Sequence, residues 1–474
     1  MRFRICEKWR ICSTICLPLF LFFLLFSKSL VFAVETGSDE NNFTLSQVVK
    51  LAIANDSSVL DARDSLEIAR SNLQIAQKEK GFSPSIQLTG DLALMGEVNS
   101  SASVVISDSV ALNDSTSEAA TQVKQSDLDV EKAQNAWEEA QENAKQKAIS
   151  GFFGTLKAEK TWEMAQRSLD QSQILLQDME KKYDQEMASS IDLLQAKQSV
   201  ENSRINLNQA EKNLLFQKQQ LNLLMGRNLK IPLSLDNIIT YKSLPIELND
   251  LTSNAISNRS DVKDLQWQKE GEILSLKNIQ RDQKAKIHLI GAYVEENYDA
   301  RFDLISPDWT LDWKITGQFS DSKGSSYGNS SNNDPFTPST TGWGIGLEIT
   351  WIPFDGGISE EKKKQQEIKI TQLERKLNTL PESITLEVLD AYDTFLQSDQ
   401  AVLITQLEKQ IAEESFKIQK QQFEAGLITD RTLKESELAL YDAGIKHERA
   451  FYDYILSKVQ LYRTAGKSII IDDL

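Results

Sequence analysis

The chain has 474 residues with 69 acidic against 52 basic side chains, and a net charge of −17 excludes the basic surface that nucleic-acid phosphates require. All three cysteines (Cys6, Cys12 and Cys16) precede residue 34, so the remainder offers no thiol chemistry, no disulfide and no cysteine metal site. Only nine prolines and twenty glycines punctuate the chain, which favours long uninterrupted elements.

At the N-terminus Arg2, Arg4, Lys8 and Arg10 precede an apolar run from Ile15 to Phe26 and the triplet Val31-Phe32-Ala33, the pattern of a secretory signal cleaved near Ala33. A retained anchor is disfavoured, because a membrane-spanning helix needs roughly twenty apolar residues. Lipidation at Cys16 is disfavoured too, since the apolar run follows the cysteine and Ile15 is bulky where a small residue is wanted. Cleavage of residues 1–33 leaves 47 basic and 68 acidic residues, a net charge of about −21. Such acidity serves solubility, or a negative interior that favours cations. No later stretch approaches eighteen consecutive apolar residues, so any entry into a membrane is by strands.

Thr44-Leu45-Ser46-Gln47 has the spacing of a capping box, and apolar positions from Leu45 to Ala76 at helical intervals predict a helix to about Lys80. The period then changes to two. Ile86, Leu88, Leu92 and Leu94, then Ala102, Val104, Ile106, Val110 and Leu112, predict a β-hairpin. Asp108 falls on its apolar face, a position tolerable near an interface or toward a pore.

From about Ser117 to Gln185 there is no proline, and Ala133, Trp137, Ala140, Ala144, Ala148, Phe152 and Leu156 keep helical spacing. A helix of that length extends roughly 100 Å, too long for a globule. A break at Glu186 to Ser190 precedes a helix over residues 191–225, which Gly226 caps. The two shorter helices laid end to end match the long one.

The second half repeats the first. Leu45, Ala52, Asn55, Val59, Asp61 and Leu73 recur 203 positions later as Leu248, Ala255, Asn258, Val262, Asp264 and Leu276. Beyond the strands the offset is 240, pairing Phe152, Leu193, Leu221 and Gly226 with Tyr392, Leu433, Leu461 and Gly466. The 37 extra residues fall within 295–340, rich in Gly, Ser and Asn. Residues 34–247 thus form a first repeat (helix, hairpin, long helix, helix, equatorial segment), and 248–474 a second with strands and a long loop over 295–340. Pro381 lies inside the second long helix, where proline predicts a kink or register change.

Strand alternation in the second half is marked at Trp309 to Phe319 and at Trp343 to Trp351, with a further candidate at 287–294. Trp309, Trp313, Trp343 and Trp351 have the placing of lipid-facing girdle residues of a membrane barrel, although a soluble sandwich also alternates. Helices on both sides of the strands return to one face of the membrane, so an even number crosses. Either one candidate of the three lies in the external loop or two merge. Four spanning strands cannot close a barrel, and open edges are not tolerated in lipid, so protomers must associate.

The opening Phe43-Thr44-Leu45-Ser46-Gln47-Val48-Val49 with Ala52 and Asn55, the strand exit Trp351-Ile352-Pro353-Phe354-Asp355-Gly356-Gly357, and Phe423-Glu424-Ala425-Gly426-Leu427 together resemble the TolC-like outer membrane efflux family, over nearly all the chain beyond residue 33. The resemblance implies an α+β membrane protein: a long α-helical coiled-coil tunnel beneath a transmembrane β-barrel built by an oligomer, four strands per protomer, from two tandem repeats. It further implies a homo-trimer with twelve strands and twelve helices, set in outer membrane lipid. Partners would be a periplasmic adaptor (membrane fusion) protein and an inner membrane pump of the RND, ABC or MFS class. The function implied is passive export of small molecules or polypeptides, in tripartite efflux or type I secretion.

By the same resemblance Glu186, Met187 and Ala188, with Gly426, Leu427 and Ile428, are helix tips that dock the adaptor. Glu186 stands where glycine is usual, which predicts another geometry or a weaker contact at that tip. Just past the tips Asp192 and Glu435 occupy positions of an acidic entrance ring, while Thr432 stands where another acid is common. An enzyme finds no support: His288 and His447 lie far apart, and there is no Walker A loop, nucleophile elbow or cofactor motif. A surface or periplasmic coiled-coil spacer or adhesin is the alternative, explaining the helices but not the strands.

Overall fold

The computed structural model describes residues 42–95, 97–112, 117–236, 247–295, 297–320 and 341–471, with side chains left out at 91–101 and 318–320. The expected signal segment 1–33 lies outside the described residues, as does the part of the expected loop over 321–340.

The helices are α1 (Leu45–Asn55), α2 (Ser57–Lys80), α3 (Glu118–Asp184), α4 (Ser190–Leu224), α5 (Leu248–Asn258), α6 (Ser260–Asp282), α7 (Ile358–Glu424) and α8 (Asp430–Thr464). Helix α1 opens on the expected capping box: Thr44 Oγ1 accepts from Gln47 N–H, and Gln47 Oε1 accepts from Thr44 N–H at 3.0 Å. The helix expected over 45–80 is interrupted. Asp56 turns the chain and caps α2, its carboxylate accepting from Ser58 N–H at 2.8 Å and pairing with Lys147 at 3.4 Å. Asn55-Asp56-Ser57-Ser58 is a run of residues that favour caps over helix interiors, and the sequence reading passed over it.

Helices α3 and α7 each have 67 residues, and α4 and α8 each have 35. Both α2 and α4 pack along α3, while α6 and α8 pack along α7. The short helices meet end to end halfway along the long ones. Asn55 Nδ2 donates to the Met225 carbonyl at 2.9 Å, and Asn254 Nδ2 donates to the Ala465 carbonyl at 2.8 Å, satisfying carbonyls that a helix end leaves open. The result is four helix columns. Helix α7 stays helical through Pro381, whose carbonyl accepts from the Thr385 hydroxyl at 2.7 Å.

The apolar core sits at this equator. Phe152 and Phe153 of α3, Leu221 and Met225 flanking the end of α4, Ile384 and Val388 of α7, and Tyr452 and Ile455 of α8 are all buried there with Val48 and Ala52 of α1. Gly226 takes a left-handed φ of 70°, and a Cβ there would lie 2.7 Å from Asn55 Cγ, so this position admits only glycine without a shift.

Besides a two-residue pairing of Asn42–Phe43 with Ser234–Leu235, the strands are β1 (Ser85–Met95), β2 (Glu97–Ala111), β3 (Lys286–Glu295), β4 (Tyr298–Ser306), β5 (Thr310–Ser320) and β6 (Gly342–Thr350). They form one antiparallel sheet in the order β1-β2-β5-β4-β3-β6. The sheet thus has six strands, where four spanning strands per protomer were expected. All three candidates of the second half are strands of the sheet, and β4 was missed between two of them. No two of them merge. Tyr298, Ala300, Phe302 and Leu304 alternate with Asp299, Arg301 and Asp303, but charges on those three positions disguise the strand as loop. The count is even, as the return of both helices to one side requires.

Candidate functional site

Register decides which side chains share a face. Ile287 lies opposite Ile349, Leu289 opposite Leu347 and Leu304, Phe302 opposite Trp313, Ile315 opposite Ile106, and Val104 opposite Leu88. One face is therefore apolar across all six strands. The other is mostly polar, carrying Ser107, Ser109, Thr316, Asp312, Lys314, Arg301, Asp303, Glu348 and Thr350, with Val105, Ile290, Ala292 and Ile305 among them. The apolar face is the open one: Leu88 is 75%, Ile345 69% and Leu347 59% exposed, whereas Thr316 on the polar face is 8% exposed. A soluble sandwich has the opposite arrangement, burying its apolar face.

Aromatic side chains fringe both ends. Trp309 and Trp351 stand beside the helices, Trp309 in the turn just before β5 with a left-handed φ of 50°, and Trp351 just past β6. Trp313 lies one turn of the pleat higher, stacked on Phe82 at 6.1 Å. Trp343 begins β6 at the far end, opposite Tyr293. Eight residues separate Trp343 from Trp351, roughly 27 Å of strand and about 21 Å of height at a tilt of about 40°, near the apolar band of about 25 Å. Asp108 lies near the helix end, its carboxylate accepting from the N–H groups of Ser83 at 2.8 Å and Ser109 at 2.9 Å. That location and those donors account for a charge on the apolar face.

At the other end of the rods the two helix tips share one geometry. Gly426 takes φ 73°, with Gly426 N–H donating to Phe423 O at 2.9 Å and Leu427 N–H to Gln422 O at 2.8 Å. Glu186 takes φ 55°, with Glu186 N–H donating to Tyr183 O at 3.0 Å and Met187 N–H to Lys182 O at 2.8 Å. Both are Schellman endings. The expectation of another geometry at Glu186 is corrected: the same pair of hydrogen bonds holds a glutamate in the left-handed region, at a cost of about 1–2 kcal/mol. Glu186→Gly is expected to slow amide exchange of Met187 roughly two- to fivefold, the smaller gain reflecting glycine's freer unfolded chain. Unchanged exchange at Met187 would show that no strain is held there.

Met187 and Leu427 follow these turns and are 74% and 75% exposed, while Ala188 and Ile428 beside them are half-buried. Ser189 and Thr429 then cap α4 and α8. Asp192 completes a capping box, its Oδ2 accepting from Ser189 N–H at 2.9 Å, and the Ser189 hydroxyl and N–H hold its carboxyl below the ordinary aspartate value. Thr432 meets the Thr429 hydroxyl at 3.0 Å. Glu435 pairs with Arg431 at 2.9 Å. Sequence reasoning missed both the capping role of Asp192 and this arginine partner, although Ser189-x-x-Asp192 and the i, i+4 spacing of Arg431 and Glu435 were visible signals.

Between the halves, polar groups join α3 to α8. Tyr441 Oη donates to Glu163 Oε2 at 2.8 Å under the Arg167 guanidinium, 3.4 Å from the ring centre, and Arg463 donates to Asn143 at 2.7 Å and pairs with Glu139. Glu142 ties the C-terminal segment to α3, accepting from the Ser468 hydroxyl at 2.6 Å, Ile469 N–H at 3.1 Å and Lys145 at 2.6 Å. Burial alone would raise its carboxyl, but these donors outweigh burial and lower it. A carboxylate held low stabilises the fold above its unfolded value of about 4.3 and ceases to do so as pH falls through the lower folded value. The stability difference between wild type and Glu142→Gln is therefore expected to be constant from neutral pH down to about 4.3 and to shrink below it, as read from melting temperature against pH. A difference that does not change with pH would assign the effect to packing.

Among the described residues no group of three or more His, Cys, Asp or Glu is gathered to hold a metal ion, and His288 and His447 lie apart on β3 and α8. No described helix is long and apolar enough to cross a membrane.

Comparison with known proteins finds the model of the outer membrane efflux protein family over residues 48–227 and 318–467. Among solved structures the chain is similar to the Campylobacter jejuni CmeC outer membrane channel, at 15% identity and a TM-score of 0.65, covering 92% of this chain and 90% of that one. It is also similar to the outer membrane protein VceC of Vibrio cholerae, at 15% identity and a TM-score of 0.63 over 90% and 96% of the two chains. The open state of the Neisseria gonorrhoeae MtrE outer membrane channel matches at 15% identity and a TM-score of 0.57 over 90% and 89%. Curated protein sequences contain no match. With the family pattern on both halves, an open apolar sheet and paired long rods, the chain belongs to the outer membrane efflux protein family.

Proposed function

We propose that copies of this chain pool their sheets into one outer membrane barrel above a shared helical tunnel, forming the passive exit duct of a tripartite export machine. The observation that carries this reading is the inverted sheet, apolar toward the surroundings and mostly polar on the sheltered side, where Ile290 and Ala292 are buried. Lipid is the solvent that makes such a face stable. Three copies is the number the resemblance implies. A surface spacer or adhesin accounts for the rods but not for the inverted sheet. Matched helices of 67 and 67, 35 and 35, and 11 and 11 residues support a tandem duplication with halves 34–247 and 248–474.

The test is fractionation and reconstitution. The expected protein is found in outer membranes, needs detergent, runs as a heat-sensitive oligomer, and conducts ions across a lipid film. A water-soluble single chain without conductance would end the proposal.

At the far end, Met187 and Leu427 are the surface offered to a periplasmic adaptor, which in turn links the inner membrane pump. Past them, Asp192 and Glu435 line a cation-favouring entrance. Because Arg431 offsets Glu435, Asp192 carries most of that field. In single-channel recordings the Asp192→Ala, Glu435→Ala double variant is expected to lose cation preference, and Asp192→Ala alone to lose most of it. Unchanged selectivity in the double variant rejects the assignment.

A further inference from the structure

We infer that the two strands beyond the expected four are part of the membrane wall, so that the barrel carries six strands per copy, eighteen in a trimer, and opens wider than a twelve-stranded one. This deepens the channel reading and rests on it.

The first support is anchorage. The turn joining β4 to β5 is fixed to the helix rim: Glu118 N–H donates to Asp308 Oδ2 at 3.2 Å, and Arg281 lies 3.5 Å from both Asp308 and Glu118. Leu112 N–H donates to Trp309 O at 2.9 Å in the same place. At its other end β4 starts with Tyr298, opposite Glu295 and close to Tyr293, whose own partner across the sheet is the far-end Trp343. Strands β3, β4 and β5 therefore run the same height as β6, from the aromatic fringe by the helices to the fringe at the far end. A hairpin lying above the membrane would not return to the rim.

The second support is chemistry. Phe302 and Leu304 of β4 continue the open apolar face without a gap between Leu289 of β3 and Trp313 of β5. Arg301 and Asp303 point to the polar side, pairing at 2.8 Å, where Asp312 accepts from Ser109. A segment outside lipid has no need of that division.

The third is girth. Strands about 4.8 Å apart and tilted by about 40° each take up roughly 6 Å of circumference, so four cover about 25 Å and six about 38 Å. Four helix columns spaced about 8–10 Å apart cover about 32–40 Å. Six strands match the girth of the columns below them, whereas four require the wall to narrow above the helices, as the resemblance implies for twelve strands over twelve helices. For three copies the backbone diameter becomes about 36 Å instead of about 24 Å, in the range of strand numbers that leave an aqueous channel. The free edges also fit. Strand β1 leaves the helices and β6 returns to them, so β1 of one copy meets β6 of the next antiparallel, like every other pair in the sheet.

Residues 34–474 contain no cysteine, which makes single-cysteine labelling in outer membranes a direct test. With a charged, water-soluble maleimide, Phe302→Cys and Leu304→Cys are expected to react at least about tenfold more slowly than Arg301→Cys and Asp303→Cys, because lipid excludes the reagent. Leu347→Cys and Glu348→Cys on β6 serve as the reference pair. Alternation on β6 but equal labelling along β4 overturns the inference and leaves the channel standing. No alternation on either strand overturns both. Should the β4 variants fail to reach the membrane, electron cryomicroscopy of the unmutated oligomer in lipid decides: six strands per copy are expected, and four overturn the inference.

Discussion

Phe152→Ala is expected to destabilise the folded chain by about 3–5 kcal/mol, the largest effect of any single truncation considered for this fold. Phe152 and Phe153 are completely buried, their rings meeting edge to face at 5.4 Å, and Phe153 reaches Tyr452 of α8 at 5.5 Å. This is the one level where α1, α3, α4, α7 and α8 all converge. Elsewhere the rods touch only along narrow stripes, and many apolar side chains on them stay open. Removing the ring therefore takes out dispersion contacts at the point that holds the columns together, and the rigid neighbours cannot collapse into the space. Ile411→Ala is the control, because Ile411 is 70% exposed and its truncation should stay within about 0.5 kcal/mol. Melting of the purified oligomer distinguishes the two. A loss below about 1 kcal/mol for Phe152→Ala would mean that the equator is not the main source of cohesion.

Replacing Met187 and Leu427 together by glutamate is expected to abolish export while leaving folding, membrane insertion and channel conductance intact. Both side chains are three-quarters exposed, so the folded chain loses no packing. If an adaptor covers them, each contributes about 1.5–3 kcal/mol of apolar burial. Losing both and burying two carboxylates instead weakens docking by roughly a hundredfold or more. The two tips share a Schellman turn, so a single substitution is expected to give a partial defect at either one. Export is read as growth in the presence of a transported toxic compound, and docking as crosslinking to the adaptor. Normal export by the double variant would remove these tips from the contact.

Much of this was legible in the sequence because the elements are long. Over 67 residues the helical period of α3 or α7 accumulates, and the offsets of 203 and 240 tie the two halves together in the sequence itself. The capping box at Thr44 and the turn at Gly426 were legible for a different reason: each needs particular side chains or a particular φ. Short-range competition hid the rest. Asp56 breaks a helix whose apolar spacing continues through it, since a carboxylate that accepts from Ser58 outweighs propensity over a single turn. Strand β4 was lost because its polar face carries Asp299, Arg301 and Asp303, which look like loop until Tyr298, Phe302 and Leu304 are seen to lie on the opposite side. Glu186 misled in the other direction. Its left-handed conformation is imposed by two backbone hydrogen bonds from the tip, and nothing in a glutamate announces that.

The inverted sheet sets terms for the life of the chain before it reaches its destination. A newly exported copy, still alone in water, presents a greasy slab bordered by two naked strand edges, and any sister copy or passing polypeptide can stick to it. On the barrel reading proposed above, safe delivery requires that this slab be shielded until neighbours arrive. The rods, whose equatorial cohesion lies within one chain, are able to form during that journey, which leaves the wall as the last part to close.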